Sequence, residues 1–372
     1  MKGQTGAFLS GGLDSTTVAG MLKTTAGSAP TFTIGFDEPK YDESEFARIS
    51  SEHFATDHKE LILSPEFVKD ALLKITEYLD ELFGNSSVIP TYYCAALARK
   101  HGIETLLAGD GGDELFAGNT RYVDQAVFER YDAIPGVVRR ALDVGYAVAP
   151  ILQKTPIARK GYGYISKAKM GLPDRLQAYN FLNQFSPESV FNETLLGKVD
   201  QAEPWDQWRS RYNELEGATS LQRMLYLDWK FTLADNDIVK VSNMCALAGV
   251  NVEYPMLDQR VVDASLKVDS ESMLLDGELR GFYKHAWRDF LPQSVFTKSK
   301  HGFGLPFGVW MQKNPGLREL VASAFDSMRA REIFDVEFLD TALRMHDTDS
   351  PGYYGELVWI IMILELWLSS HE

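Results

Sequence analysis

Two short runs bring together the side chains that catalysis needs: Ser10-Gly11-Gly12-Leu13-Asp14-Ser15 and Gly109-Asp110-Gly111-Gly112-Asp113-Glu114. In the first, glycines between a strand and a helix leave backbone N–H groups and the helix N-terminus free to bind an anion. It is not a Walker A loop, because GxxxxGK[ST] is missing, and it is not GxGxxG. Two hydroxyls and a carboxylate suit a pyrophosphate whose charge is shared with Mg²⁺, since Asp14 beside bare phosphates would repel them. The plainer alternative is a Gly-rich turn with a Ser or Asp cap. In the second run, three acids among three glycines can present oxygen ligands to a hard cation. The alternative there is a tight acidic turn opening a helix, whose N-terminus favours acids.

Both runs need strand ends to hold them. The first hundred residues alternate β-rich and helical patterns, the rhythm of a parallel sheet covered by helices, so the chain reads as α/β. Strands are expected at 6–9 (GAFL), 31–36 (TFTIGF), 61–63 and 104–108 (ETLLA), with helices at 13–23, 43–54, 65–79 and 91–101. Open α/β sheets bind ligands where strands end and connections diverge. The loops 10–15 and 109–114 are therefore expected to face one crevice. After residue 119 the pattern turns mostly helical, and two parts are expected: a nucleotide-binding α/β core at 1–145 and a helical part at 146–372.

Composition narrows the function. With 37 basic and 52 acidic residues the net charge is −15, which disfavours general nucleic-acid binding, where Lys and Arg must displace counterions. A local basic stretch (Lys154, Arg159, Lys160, Lys167, Lys169) reads as a solvated face or a partner surface. The two cysteines, Cys94 and Cys245, are far apart and lack zinc-site spacing, and both read as core residues. The N-terminus shows no apolar run with a cleavage site, so a cytoplasmic location is expected. The greasiest run, 357–368, has 12 residues and contains Glu365, short of the about 20 that span a bilayer; it reads as a buried helix, and no membrane partner is expected.

Taken together, the two glycine runs resemble the PP-loop ATP pyrophosphatase fold, specifically the synthetase domain of the asparagine synthetase family. The resemblance extends through TFTIGF with Tyr41-Asp42-Glu43, Asp237 to Lys240 (DIVK), Pro255 to Asp258 (PMLD), Lys298 to Phe303 (KSKHGF) and the final tryptophan-rich helix. It covers essentially the whole chain. It implies an ATP-dependent, AMP-forming amide ligase: a carboxylate, aspartate or a related acid, is adenylated with MgATP, pyrophosphate leaves, and ammonia or an amine attacks. The chemistry is sound, because a carboxylate oxygen leaves only once esterified, and departing pyrophosphate must be neutralised by metal and backbone donors.

By position, the resemblance assigns Ser10, Gly11, Gly12, Asp14 and Ser15 to pyrophosphate, Asp14 and Asp113 to Mg²⁺, Leu9 and Ile34 to adenine, and Gly109 to the nucleotide. Asp110 is expected to position the acceptor or the attacking nitrogen. Lys300, on a loop with Gly302 and Gly304, is the leading catalytic candidate, as a compact ammonium at the α-phosphate. Lys240 and Asp237 belong to the same expected site.

Two departures stand out. Family synthetases carry an N-terminal glutaminase domain with a terminal cysteine, whereas here Met1 and Lys2 lead straight into the first strand. The expectations are an excised domain or a stand-alone enzyme using ammonia, an amine, or ammonia from a separate glutaminase subunit. Second, Ser242, Asn243, Asn251 and Glu253 replace charged groups usual in the family, so the acceptor need not be aspartate if they touch it; a swap of structural salt bridges is the alternative. Lactam or isopeptide closure, and a non-catalytic nucleotide-binding module, are the competing functions.

Overall fold

The computed structural model describes residues 4–132, 134–136, 140, 166–178, 180–298 and 304–372. Five parallel strands, β1 (Thr5–Phe8), β2 (Pro30–Phe36), β3 (Asp57–Leu63), β4 (Thr105–Leu107) and β5 (Asn251–Glu253), form one sheet in the order β3-β2-β1-β4-β5. The sequence therefore indicates the α/β class and four of the strands correctly, but not β5. The chain steps from β1 outward through β2 to β3, then returns to place β4 on the other side of β1. That reversal is the switch point at which an open sheet leaves a crevice beyond its strand ends.

Alternate side chains of each strand go to opposite faces. Leu106 and Phe32 join one core and Leu107 and Ala7 the other. The second face is covered by α1 (Leu13–Ala26) and α2 (Ser44–Phe54). The first is covered by α3 (Pro65–Tyr78), α4 (Val88–Lys100), the helix Val239–Leu247 and the C-terminal helices. All seven residues of β2 are buried, as expected of a strand covered on both faces. α1 ends at Gly27, whose φ of +75° lets its N–H cap the Lys23 carbonyl.

The C-terminal helix runs Pro351–His371, 21 residues against the 12-residue apolar run that marks it in sequence. By length and composition it could cross a membrane. Here its Leu357, Val358, Trp359, Ile361, Met362 and Ile363 are buried in the main core. Gly355 lies against Gly308 so closely that a Cβ on either would strike the other's backbone. Cys94 and Cys245 are likewise buried and unbridged, and burial pushes both thiols up, Cys245 to about 12. The expected 145/146 boundary lies outside the described residues, as do Lys154, Arg159 and Lys160 of the basic stretch.

Candidate active site

Beyond the C-terminal ends of β1 and β4 the two glycine loops meet. Gly11 has a φ of +70°, and a Cβ there would overlap the backbone of Phe46 in α2, so the first turn must be glycine. Gly12 caps α1 without a side chain. The first-turn N–H groups of Leu13, Asp14 and Ser15 have no carbonyl four residues back within the helix. The Ser10 and Ser15 hydroxyls are 2.9 Å apart, and the Ser10 N–H donates to Ser15 Oγ at 3.1 Å. This is a cradle of donors at a helix N-terminus.

The second loop packs directly against the first. A Cβ on Gly109 would lie 2.8 Å from the Ser15 nitrogen, and one on Gly112 would overlap the Asp14 carboxylate. α5 (Gly112–Phe116) starts after Gly111, whose φ is +99°. Asp14 and Asp113 thereby converge on one guanidinium. Arg280 Nη1 and Nη2 donate to the two Asp14 oxygens at 2.6 and 2.7 Å, and the same Nη2 donates to Asp113 Oδ1. Arg280 is 5% exposed and has a φ of +58°. Glu114, also buried, has its carboxyl pushed up to about 7 by burial.

The cavity they open onto encloses about 520 Å³. Phe8, Leu9, Ile34 and Phe296 give it an apolar wall; Ser10, Gly12, Asp14, Ser15, Gly109 and Asp113 lie on its polar side. Asp110, Asp237 and Lys240 line it as well. Asp237 comes from a π-helical stretch, Trp229–Ile238, a wide turn frequent at functional sites. Lys240 Nζ donates to Asp237 Oδ1 at 2.8 Å. Burial pushes the Asp110 carboxyl up to about 6, with Lys240 opposing the rise and Asp237 adding to it.

The geometry thus gathers Leu9, Ser10, Gly12, Asp14, Ser15, Ile34, Gly109, Asp110, Asp113, Asp237 and Lys240 around one cavity, with Gly11 supplying the turn. Lys300 and Gly302 lie outside the described residues. Ser242, Asn243, Asn251 and Glu253 are not among the cavity's lining: the Ser242 hydroxyl is 2.8 Å from that of Tyr254, while Asn251 and Glu253 are exposed on β5, an edge strand. Three contributors escape sequence reasoning. Arg280 sits in no motif and carries no local signal. Glu114 is in the acid run but without a role assigned to it, and Lys298 is overshadowed by Lys300 in the same KSKHGF segment.

The family model described as asparagine synthase matches residues 2–369. The chain belongs to the asparagine synthase family. Among curated relatives, "Asparagine synthetase [glutamine-hydrolyzing] 1" of Bacillus subtilis is 24% identical over 98% of this chain and 56% of its own length. "Putative asparagine synthetase [glutamine-hydrolyzing]" of Mycobacterium bovis is 26% identical over 97% of this chain and 54% of its own. "Putative asparagine synthetase [glutamine-hydrolyzing] 2" of Methanocaldococcus jannaschii reaches 32% over 65% of this chain. The chain spans about half the length of the curated relatives it matches.

Proposed function

We propose that this chain is an ATP-dependent, AMP-forming carbon–nitrogen ligase that adenylates a carboxylic acid, aspartate or a related one, and passes the acyl group to ammonia or an amine. The observation that carries this reading is the convergence of Asp14 and Asp113, from loops after two neighbouring strands, on one point beside the donor cradle. Their chemistry fits Mg²⁺. Two hard carboxylate side chains would hold such an ion, and among the described residues no group of three or more His, Cys, Asp or Glu forms a fuller cage. When bound, Mg²⁺ would supply positive charge to the leaving pyrophosphate.

The chain's own groups divide the remaining work. Leu9 and Ile34 offer the adenine an apolar wall, and the first-turn N–H groups of α1 with Ser10 and Ser15 receive the phosphates. The acceptor carboxylate attacks the α-phosphorus and the bond to the bridging oxygen of pyrophosphate breaks, leaving an acyl-adenylate. Nitrogen then adds to the acyl carbon and AMP leaves, the nitrogen giving up a proton. Asp110, ionised above pH about 6, is suited to accept it. Lys240, held by Asp237, faces the same space and would balance charge on the acceptor, and Lys300 would do so at the α-phosphate.

The test is pyrophosphate release from MgATP across a panel of carboxylic acids including aspartate, with ammonia present, for the wild type and Lys300→Ala, following product mass. Lys300-dependent release with aspartate, giving asparagine, establishes an ammonia-using synthetase domain. Release with another acid alone assigns a specialised amide or lactam product. Tight ATP binding with no release for any acid, even with a glutaminase domain added, would sink the ligase reading.

A further inference from the structure

Resting on the ligase reading, the second role concerns Arg280. We propose that its guanidinium is a resident counter-ion of the Asp14/Asp113 pair, that it must leave them before a divalent cation can bind there, and that it then turns onto the nucleotide's phosphates. One nitrogen, Nη2, donates both to Asp14 Oδ2 and to Asp113 Oδ1, so it fills the place a shared cation would take. Two carboxylates brought together without a positive charge repel each other. The guanidinium holds them in position before any metal arrives, and in doing so competes with the metal.

The surroundings fix the backbone, and the buried side chain runs along the cavity wall. Arg280 holds its left-handed φ of +58° immediately before Gly281, where a Cβ would lie 2.8 Å from the Leu275 nitrogen. The chain is clamped at the root of the side chain. The side chain itself lines the nucleotide cavity. Its planar fork suits phosphate as well as carboxylate, so transfer from one to the other exchanges like for like. Lys284, one turn further on and also lining the cavity, is anchored instead to Glu278 at 2.6 Å, and is not placed to replace it.

Two measurements test the exchange. In Mn²⁺ titrations followed by the EPR signal of the free ion, Arg280→Met should bind Mn²⁺ alone at least tenfold more tightly than wild type, Arg280→Lys falling between. Both variants should lose most of the tightening that added pyrophosphate gives the wild type. On unaltered protein, phenylglyoxal labelling of Arg280, read by peptide mass, should be slow without metal, faster with Mn²⁺, and slow again with Mn²⁺ plus pyrophosphate. A folded Arg280→Met, or Arg280→Lys if the former does not fold, that binds Mn²⁺ no more tightly than wild type overturns the proposal. So does labelling indifferent to Mn²⁺. Either result alongside normal pyrophosphate release leaves the ligase reading standing. A wild type that binds neither MnATP nor Mn²⁺-pyrophosphate ends both.

Discussion

The Lys298 ammonium donates to the Ser10 carbonyl at 2.9 Å, joining the end of the helix Gln293–Thr297 to the donor cradle across 288 positions of sequence. Glu43 accepts from the same ammonium at 2.9 Å, and the Lys298 side chain is 8% exposed. Lys298→Ala should therefore destabilise the fold by about 1–3 kcal/mol, less than a fully buried pair because Glu43 reaches water. The Michaelis constant for ATP should rise more than the turnover number falls. Lys300→Ala should show the opposite division, with its melting temperature unchanged. Melting curves and initial rates separate the two, and an unshifted Lys298→Ala melt would refute the tie.

Gly118 gives a sharper test of the acid pair. A Cβ there would overlap Asp113 Oδ1 and Arg280 Nε together. Gly118→Ala should cost about 1–3 kcal/mol of stability from overpacking and weaken MgATP binding at least tenfold. Gly27→Ala is the control: its φ is +75° but nothing lies within 4 Å of the new atom. It should cost about 1 kcal/mol from backbone strain and leave nucleotide affinity alone. Calorimetric titration with MgATP reads both.

Asp110 makes stability depend on pH in a stated direction. Folded, its carboxyl titrates at about 6; unfolded, it titrates near the ordinary carboxylate value of 3.8. Between those values the unfolded chain has released this proton while the folded chain keeps it. Stability is therefore lost as pH rises from about 4 to about 6, by about 2 kcal/mol. Asp110→Asn should flatten that part of the profile. Urea midpoints at pH 4.5 and 7 give the slope, and equal slopes in the two proteins would contradict the assignment. Lys240→Met should move the inflection upward, since Lys240 opposes the rise.

Glu365 is 2% exposed in the C-terminal helix and accepts from Ser327 at 2.6 Å, Ser369 at 2.8 Å and Arg331 at 3.0 Å. It lines no part of the cavity. Glu365→Ala should lower stability by about 2–4 kcal/mol, because Arg331 loses a buried partner while retaining Glu372. ATP affinity measured well below the melting temperature should not change.

How much of this was legible beforehand depended on whether the signal was local. The loops 10–15 and 109–114 announce themselves because glycine and acid types are dictated within a few residues, and β1, β2 and β4 because buried strands are written in apolar residues. β3 is visible only at Leu61–Leu63, yet it pairs with β2 from Asp57 onward; an edge strand takes polar residues while its backbone still completes the ladder. β5 fails for the same reason in the extreme, three residues of which Asn251 and Glu253 face solvent. Arg280 and Asp14 are 266 positions apart, and neither residue's neighbourhood encodes the meeting. The π-helical stretch Trp229–Ile238 is hidden too, since no motif read from the sequence marks a widened turn there.

The late arrival of β5 has a consequence for how the molecule is made. β4 pairs with β1 on one side and, through Thr105 to Leu107, with Asn251 to Glu253 on the other. During synthesis β1 to β4 can assemble, but the outer hydrogen-bonding edge of β4 stays bare until residues 108–250 have been translated. For that interval the nascent sheet offers a strand of apolar Leu106 and Leu107 to any extended peptide nearby. The edge of β4 is therefore open to mispairing until Asn251–Glu253 has been made, and the sheet face that packs against the C-terminal helices stays uncovered longer still.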